Sequence, residues 1–107
     1  MKRLVILESP YAGDVEKNIA YARKCILDSL MRGESPIASH LLYTQPGILD
    51  DTNPLERTLG INAGLAWTKV ADASVVYTDL GISDGMKTGI SAALDAGIAV
   101  EYRHLQT

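Results

Sequence analysis

The chain has 107 residues, 47% of them hydrophobic and 21% charged, with a net charge of -3. That balance fits one globular domain spanning residues 1–107 and excludes a disordered or coiled-coil chain. The acidic total, with no basic cluster larger than Lys2-Arg3 or Arg23-Lys24, argues against a nucleic-acid partner.

Leu4 to Leu7 is a short apolar run of the kind found in a strand buried on both faces. Its basic start and brief length read as a first strand, not a signal peptide. No run approaches the length of a membrane span, so a cytoplasmic protein without a membrane partner is expected. A turn-rich loop follows over 8–13. Asp14 then caps a helix with apolar positions at Val15, Ile19, Ala22, Cys25, Ile26 and Leu30, and Gly33 ends it. The single cysteine, Cys25, lies inside this helix, allows no intrachain disulfide and reads as a buried thiol.

Pro36 to Tyr43 reads as a second strand, with proline at its first position. A Pro-Gly turn lies in the loop 44–52. Asn53-Pro54-Leu55-Glu56 has the form of a capping box and predicts a helix to about Val70. Ala73 to Tyr77 reads as a third strand. The stretch Ser83-Asp84-Gly85-Met86-Lys87-Thr88-Gly89 then opens a helix to about Ala96, stopped by Gly97, and Ile98 to Tyr102 reads as a fourth strand. The alternation predicts an α/β, Rossmann-like three-layer sandwich with a four-stranded parallel sheet in the order 2-1-3-4. Ligands of such sheets bind beyond the strand C-terminal ends at the switch point, here loops 8–13, 40–53 and 78–85.

Two of these loops have ligand-gripping chemistry. Ser9, Tyr11, Ala12 and Gly13 lie between the first strand and a helix N-terminus, where free N–H groups favour an anion. Ser83, Asp84, Gly85 and Met86 do the same before the third long helix. A hydroxyl cap and a glycine there would let a ligand approach the backbone. His40 and Asp79 fall near the same crevice. The two histidines, His40 and His104, have no zinc spacing with Cys25, and Asp50-Asp51 lacks the further ligands of a cation site. No metal or cofactor is expected. Trp67 reads as core or interface packing.

The segments "SPYAG", "HLLY", "ADASVVY" and "SDGMKTGISAALDAGI" resemble the nucleoside 2-deoxyribosyltransferase-like superfamily over about Leu4 to Arg103. The likeness is greatest to its small phage and bacterial members. The resemblance implies a Rossmann-like sheet that binds nucleosides or nucleotides, and N-glycosidic chemistry run by a carboxylate on the helix after strand 3. It also implies an aspartate on the preceding helix and an oligomer, in which Tyr102, Arg103 or His104 would reach a neighbour's site. The positions that match the two family acids are Gly89 and Gly64. The chain is therefore expected to hold a nucleotide or ADP-ribose-like molecule without catalysis, in space vacated at those glycines. If it is phage-encoded, the host cytoplasm is its expected location, and sequestration of a host immune signal such as a cyclic ADP-ribose isomer is its expected use. Two alternatives stand beside this. One is a glycosidase or deoxyribosyltransferase that uses Asp84 or Glu8 as a displaced carboxylate; the other is an interaction module that acts through its helices.

Overall fold

A computed structural model describes residues 2–105. The elements are β1 (Leu4–Glu8), α1 (Val15–Met31), β2 (Ser35–Ile37), α2 (Ser39–Leu42), α3 (Pro54–Leu65), a 3-10 turn (Ala66–Lys69), β3 (Ala73–Tyr77), α4 (Asp84–Asp95) and β4 (Ala99–Arg103). The four strands are all parallel in the order β2-β1-β3-β4, so the predicted architecture and strand order hold. Crossovers of a parallel sheet place helices on its faces. On one face, Tyr21 and Cys25 of α1 join Val5, Leu7, Val75 and Tyr77 in the main core. Every residue of β3 is buried, as befits a strand covered on both sides. On the other face, Met86 and Ala93 are the buried apolar side chains of α4.

Local chemistry sets the helix ends. Asp14 accepts from Lys17 N at 3.3 Å and caps α1. At its other end Gly33 takes a φ of +86°, and Gly33 N and Glu34 N turn back to the carbonyls of Leu30 and Ser29. Gly97, at φ +75°, ends α4 in the same way through bonds to Leu94 and Ala93. Both positions need the left-handed backbone that glycine adopts at little cost.

Three expectations are corrected. The second strand is only Ser35–Ile37, with Pro36 at its second position rather than its first, and the chain then turns into α2. A short apolar run such as Ala38 to Tyr43 does not distinguish strand from helix by pattern. Here Ala38 is buried and Leu41 packs on the core while Leu42 is exposed. His40 therefore sits on a helix, not in a strand. The predicted helix to Val70 is α3 followed by the 3-10 turn. Asn53 caps α3 by accepting from Leu55 N and Glu56 N, but Glu56 does not close a capping box; its Oε1 accepts from Asp50 N at 3.1 Å.

Ion pairs tie the last residue of β4 to the segment before β2. Arg103 holds Glu34 through both carboxylate oxygens at 2.7 and 2.6 Å, and it also contacts Glu101 and Tyr77 Oη. Ser29 donates to Glu34 at 2.8 Å, and Arg3 pairs with both Glu101 and Glu34. The bidentate Arg103 contact holds the Glu34 carboxyl down at about 2, against an ordinary value of 4.5.

Candidate functional site

A cavity of about 450 Å³ opens at the strand C-terminal ends, within the size range of small-molecule sites. Its floor is the end of β1, with Ile6 and Glu8. The loop after β1 gives Ser9, Tyr11, Ala12 and Gly13 to one side. Helix α4 and its cap give Ser83 to Met86 and Gly89, and α2 gives His40. So the cavity gathers all but one of the ligand-binding residues expected from the sequence. The exception is Asp79, which does not line it. Asp79 accepts from Tyr21 Oη at 2.5 Å and from Leu105 N at 3.0 Å, and so fastens α1 and the chain after β4 to the loop following β3.

Several of the gathered residues are held by their neighbours. Asn18, buried on α1, donates through Nδ2 to the carbonyls of Tyr11 and Ala12 at 2.9 and 3.1 Å. That contact fixes the loop, and an asparagine one turn after the Asp14 cap was the sequence signal for it. Ser83 Oγ accepts from Met86 N at 3.3 Å, so its hydroxyl caps α4. Asp84 extends into solvent, with a loose pair to Lys87 at 3.8 Å. Ser9 Oγ and His40 Nε2 lie 2.7 Å apart. Burial lowers the His40 pKa to about 4, so the imidazole is neutral at physiological pH.

The opposite wall was foreseen only in part, through loop 40–53 and Gly64. Arg57, Gly60, Ile61, Gly64 and Thr68 reach the cavity from α3 and the 3-10 turn, and Tyr43 and Asp51 from the segment before α3. Arg57 Nη1 pairs with Asp51 at 2.9 Å. Trp67 donates its indole N–H to Tyr43 Oη at 3.1 Å, bracing that aromatic wall from outside. The i, i+4 spacing of Gly60 and Gly64 is a second sequence sign, beside the match of Gly64 to a family acid, that this helix turns a bare face inward.

The expectation of vacated space at Gly89 and Gly64 is overturned. A Cβ built at Gly89 would stand 2.6 Å from Cδ and 2.9 Å from Oε1 of Glu8, and nearer still to Oε2. A Cβ at Gly64 would stand 3.1 Å from Ser39 Cβ, and nearer still to its Oγ. Both glycines are positions of close approach. The room beside α4 is taken by a carboxyl that arrives from β1. Among the described residues, no hydrogen-bonding group meets the Glu8 carboxyl, and burial alone pushes its pKa to about 8. An unpartnered acid at the bottom of a ligand-sized cavity is the strongest chemical feature of the molecule.

Sheet and cavity together define a Rossmann-like α/β protein with a small-molecule-sized site at the strand C-terminal ends. The chain belongs to the family described as Domain of unknown function (DUF7768), whose profile matches residues 3–103. No curated protein matches the chain.

Proposed function

We propose that the cavity binds a nucleoside- or nucleotide-type molecule and cleaves its N-glycosidic bond, with Glu8 as the acid. The observation that carries this is the Glu8 carboxyl, partly buried, unpartnered and packed against Gly89 on the cavity floor. The resemblance to nucleoside 2-deoxyribosyltransferase-like proteins supplies the substrate class. It asks for an acid near the position of residue 89, and Glu8 brings a carboxyl there from the neighbouring strand.

An acid that keeps its proton to about pH 8 is suited to give it away. Glu8 donates a proton to a ring nitrogen of the departing base. The bond between C1′ and the base breaks with its electron pair going to the base. Water adds to C1′ and loses a proton to the Glu8 carboxylate, which restores the starting acid. Tyr11 and Tyr43 offer flat walls for the base, and the loop held by Asn18 keeps Tyr11 in place.

Chromatography of a nucleoside and nucleotide panel after incubation tests this. Free base should accumulate, and Glu8→Gln should slow its release by about 10²- to 10⁴-fold, the usual range for a positioned acid. Turnover that ignores Glu8→Gln would sink the assignment. A second reading, retention of the ligand without turnover, is favoured by one observation. Asp84, the carboxyl at the start of α4, points into solvent and brings no second acid to the reacting carbon. Recovery of a tightly bound, unaltered ligand would select it.

A further inference from the structure

We infer that His40 is a second catalytic group of this cavity, the base that takes a proton from the attacking water, and that the sugar leaves with inverted configuration at C1′. This rests on the reading above and specifies its course. Glu8 and Ser9 are neighbours at the end of β1, and they turn to different walls. The Glu8 carboxyl lies against Gly89 of α4, while Ser9 Oγ lies 2.7 Å from His40 Nε2 on α2. Glu8 and His40 both line the cavity, so a ligand lodged between the walls has an acid on one and an imidazole on the other. Inverting glycoside hydrolysis needs that division: an acid beside the leaving group, and a base beside a water on the opposite face of the sugar.

The rest of the wall leaves this role to His40. Its other charged side chains are Asp51, Glu56, Arg57 and Asp84. Asp51 and Arg57 hold each other at 2.9 Å, Glu56 accepts from Asp50 N at 3.1 Å, and Asp84 points into solvent. The His40 ring meets Ser9 and no other hydrogen-bonding group among the described residues. With Nε2–H donating to Ser9 Oγ, the lone pair rests on Nδ1, free for water. Burial alone lowers the His40 pKa to about 4, so the ring is neutral at pH 7 and as basic as the carboxylates that serve inverting enzymes. Glu8 meanwhile keeps its proton to about pH 8, and a protonated carboxyl is no nucleophile. Glu8 protonates the departing base, which takes the electron pair of its bond to C1′. A water oxygen bonds C1′, and its proton passes to His40 Nδ1. The imidazolium then returns that proton through solvent to the Glu8 carboxylate, and both groups are restored. At no point is the sugar bonded to the protein.

Proton NMR tests this with the common β-ribonucleosides, their 2′-deoxy counterparts and their 5′-monophosphates, read before the anomers of the freed sugar equilibrate. The first sugar to appear should be the α-anomer. A second free base added to the mixture should not be taken up into a new nucleoside. The β-anomer first, or base exchange, would overturn the inference and leave the glycosidic reading standing. The pH profile of kcat/KM tests the residue. The wild-type rate should fall below about pH 4, where His40 is protonated, and above about pH 8, where Glu8 is ionised. His40→Gln should lower the plateau by about 10²- to 10⁴-fold and abolish the acid limb while keeping the alkaline one. An acid limb that survives the substitution would overturn the assignment to His40. Release of no base from any member of the panel would remove the inference together with the reading beneath it.

Discussion

Two glutamates are drawn into this small protein, and they are treated in opposite ways. Glu34, just before β2, is gripped by Arg103 through both oxygens and receives a further bond from Ser29. Glu8, at the end of β1, meets no hydrogen-bonding group among the described residues and rests against the bare backbone of Gly89. The same functional group thus titrates at about 2 in one place and about 8 in the other. A fold spends an arginine where it needs a carboxylate as a fastener. Where it withholds one, burial shows as a raised pKa.

On the proposed reading, the contrast breaks most completely at Glu8. Glu8→Gln keeps the shape of the side chain and removes its proton chemistry, so base release should fall by about 10²- to 10⁴-fold while the fold survives. Arg103→Leu attacks the other partner. It leaves Glu34 charged and buried, at a cost of about 3–5 kcal/mol, read as a lowered midpoint in denaturant titration. Gly89→Ala should cost about 1–3 kcal/mol by crowding the Glu8 carboxyl. That cost should largely vanish in a Glu8→Ala background, and a double-mutant cycle measures the coupling. If the two changes add independently, the close approach of Gly89 to Glu8 is wrong.

The pH dependence of stability is the remaining expected effect, and here the two acids tilt it in opposite directions. Glu34 has a folded pKa below its ordinary 4.5, so its contribution is present above that value and is lost as pH falls toward about 2. Glu8 has a folded pKa above 4.5, so its contribution is present at low pH and is lost as pH rises toward about 8. Thermal melts should therefore weaken on both sides of a mildly acidic optimum. Glu8→Gln should flatten only the alkaline limb. A variant whose alkaline limb matches wild type would contradict the burial of that carboxyl.

The sheet order and most helix boundaries were legible because their signals are local. Asp14, Asn53 and Ser83 announce helix starts through their own side chains, and Gly33 and Gly97 announce ends through backbone that few other residues adopt. The short helix α2 was not legible, because Ala38 to Tyr43 satisfies strand and helix patterns alike until Leu41 finds the core. The loops of the site could be read and Glu8 could be named as a candidate acid, but its place against Gly89 could not. Glycine at 89 looks like a deletion in one dimension. Only the parallel pairing of β1 with β3 and the packing of α4 on the sheet show that another residue fills the gap. Of the α3 wall only Gly64 was named, and Arg57, Gly60, Ile61 and Thr68 were missed, because no local motif ties them to the crevice.

Pro36 has an effect that reaches beyond its own molecule. β2 is the outermost strand on its side, and Ser35 N turns inward to the Arg3 carbonyl at 2.9 Å. By alternation, the next backbone nitrogen faces outward, and there proline has no hydrogen to give. A stray extended segment arriving at that border finds its ladder interrupted at the middle rung. The three-residue margin is thus a poor template for strand addition on that side of the sheet.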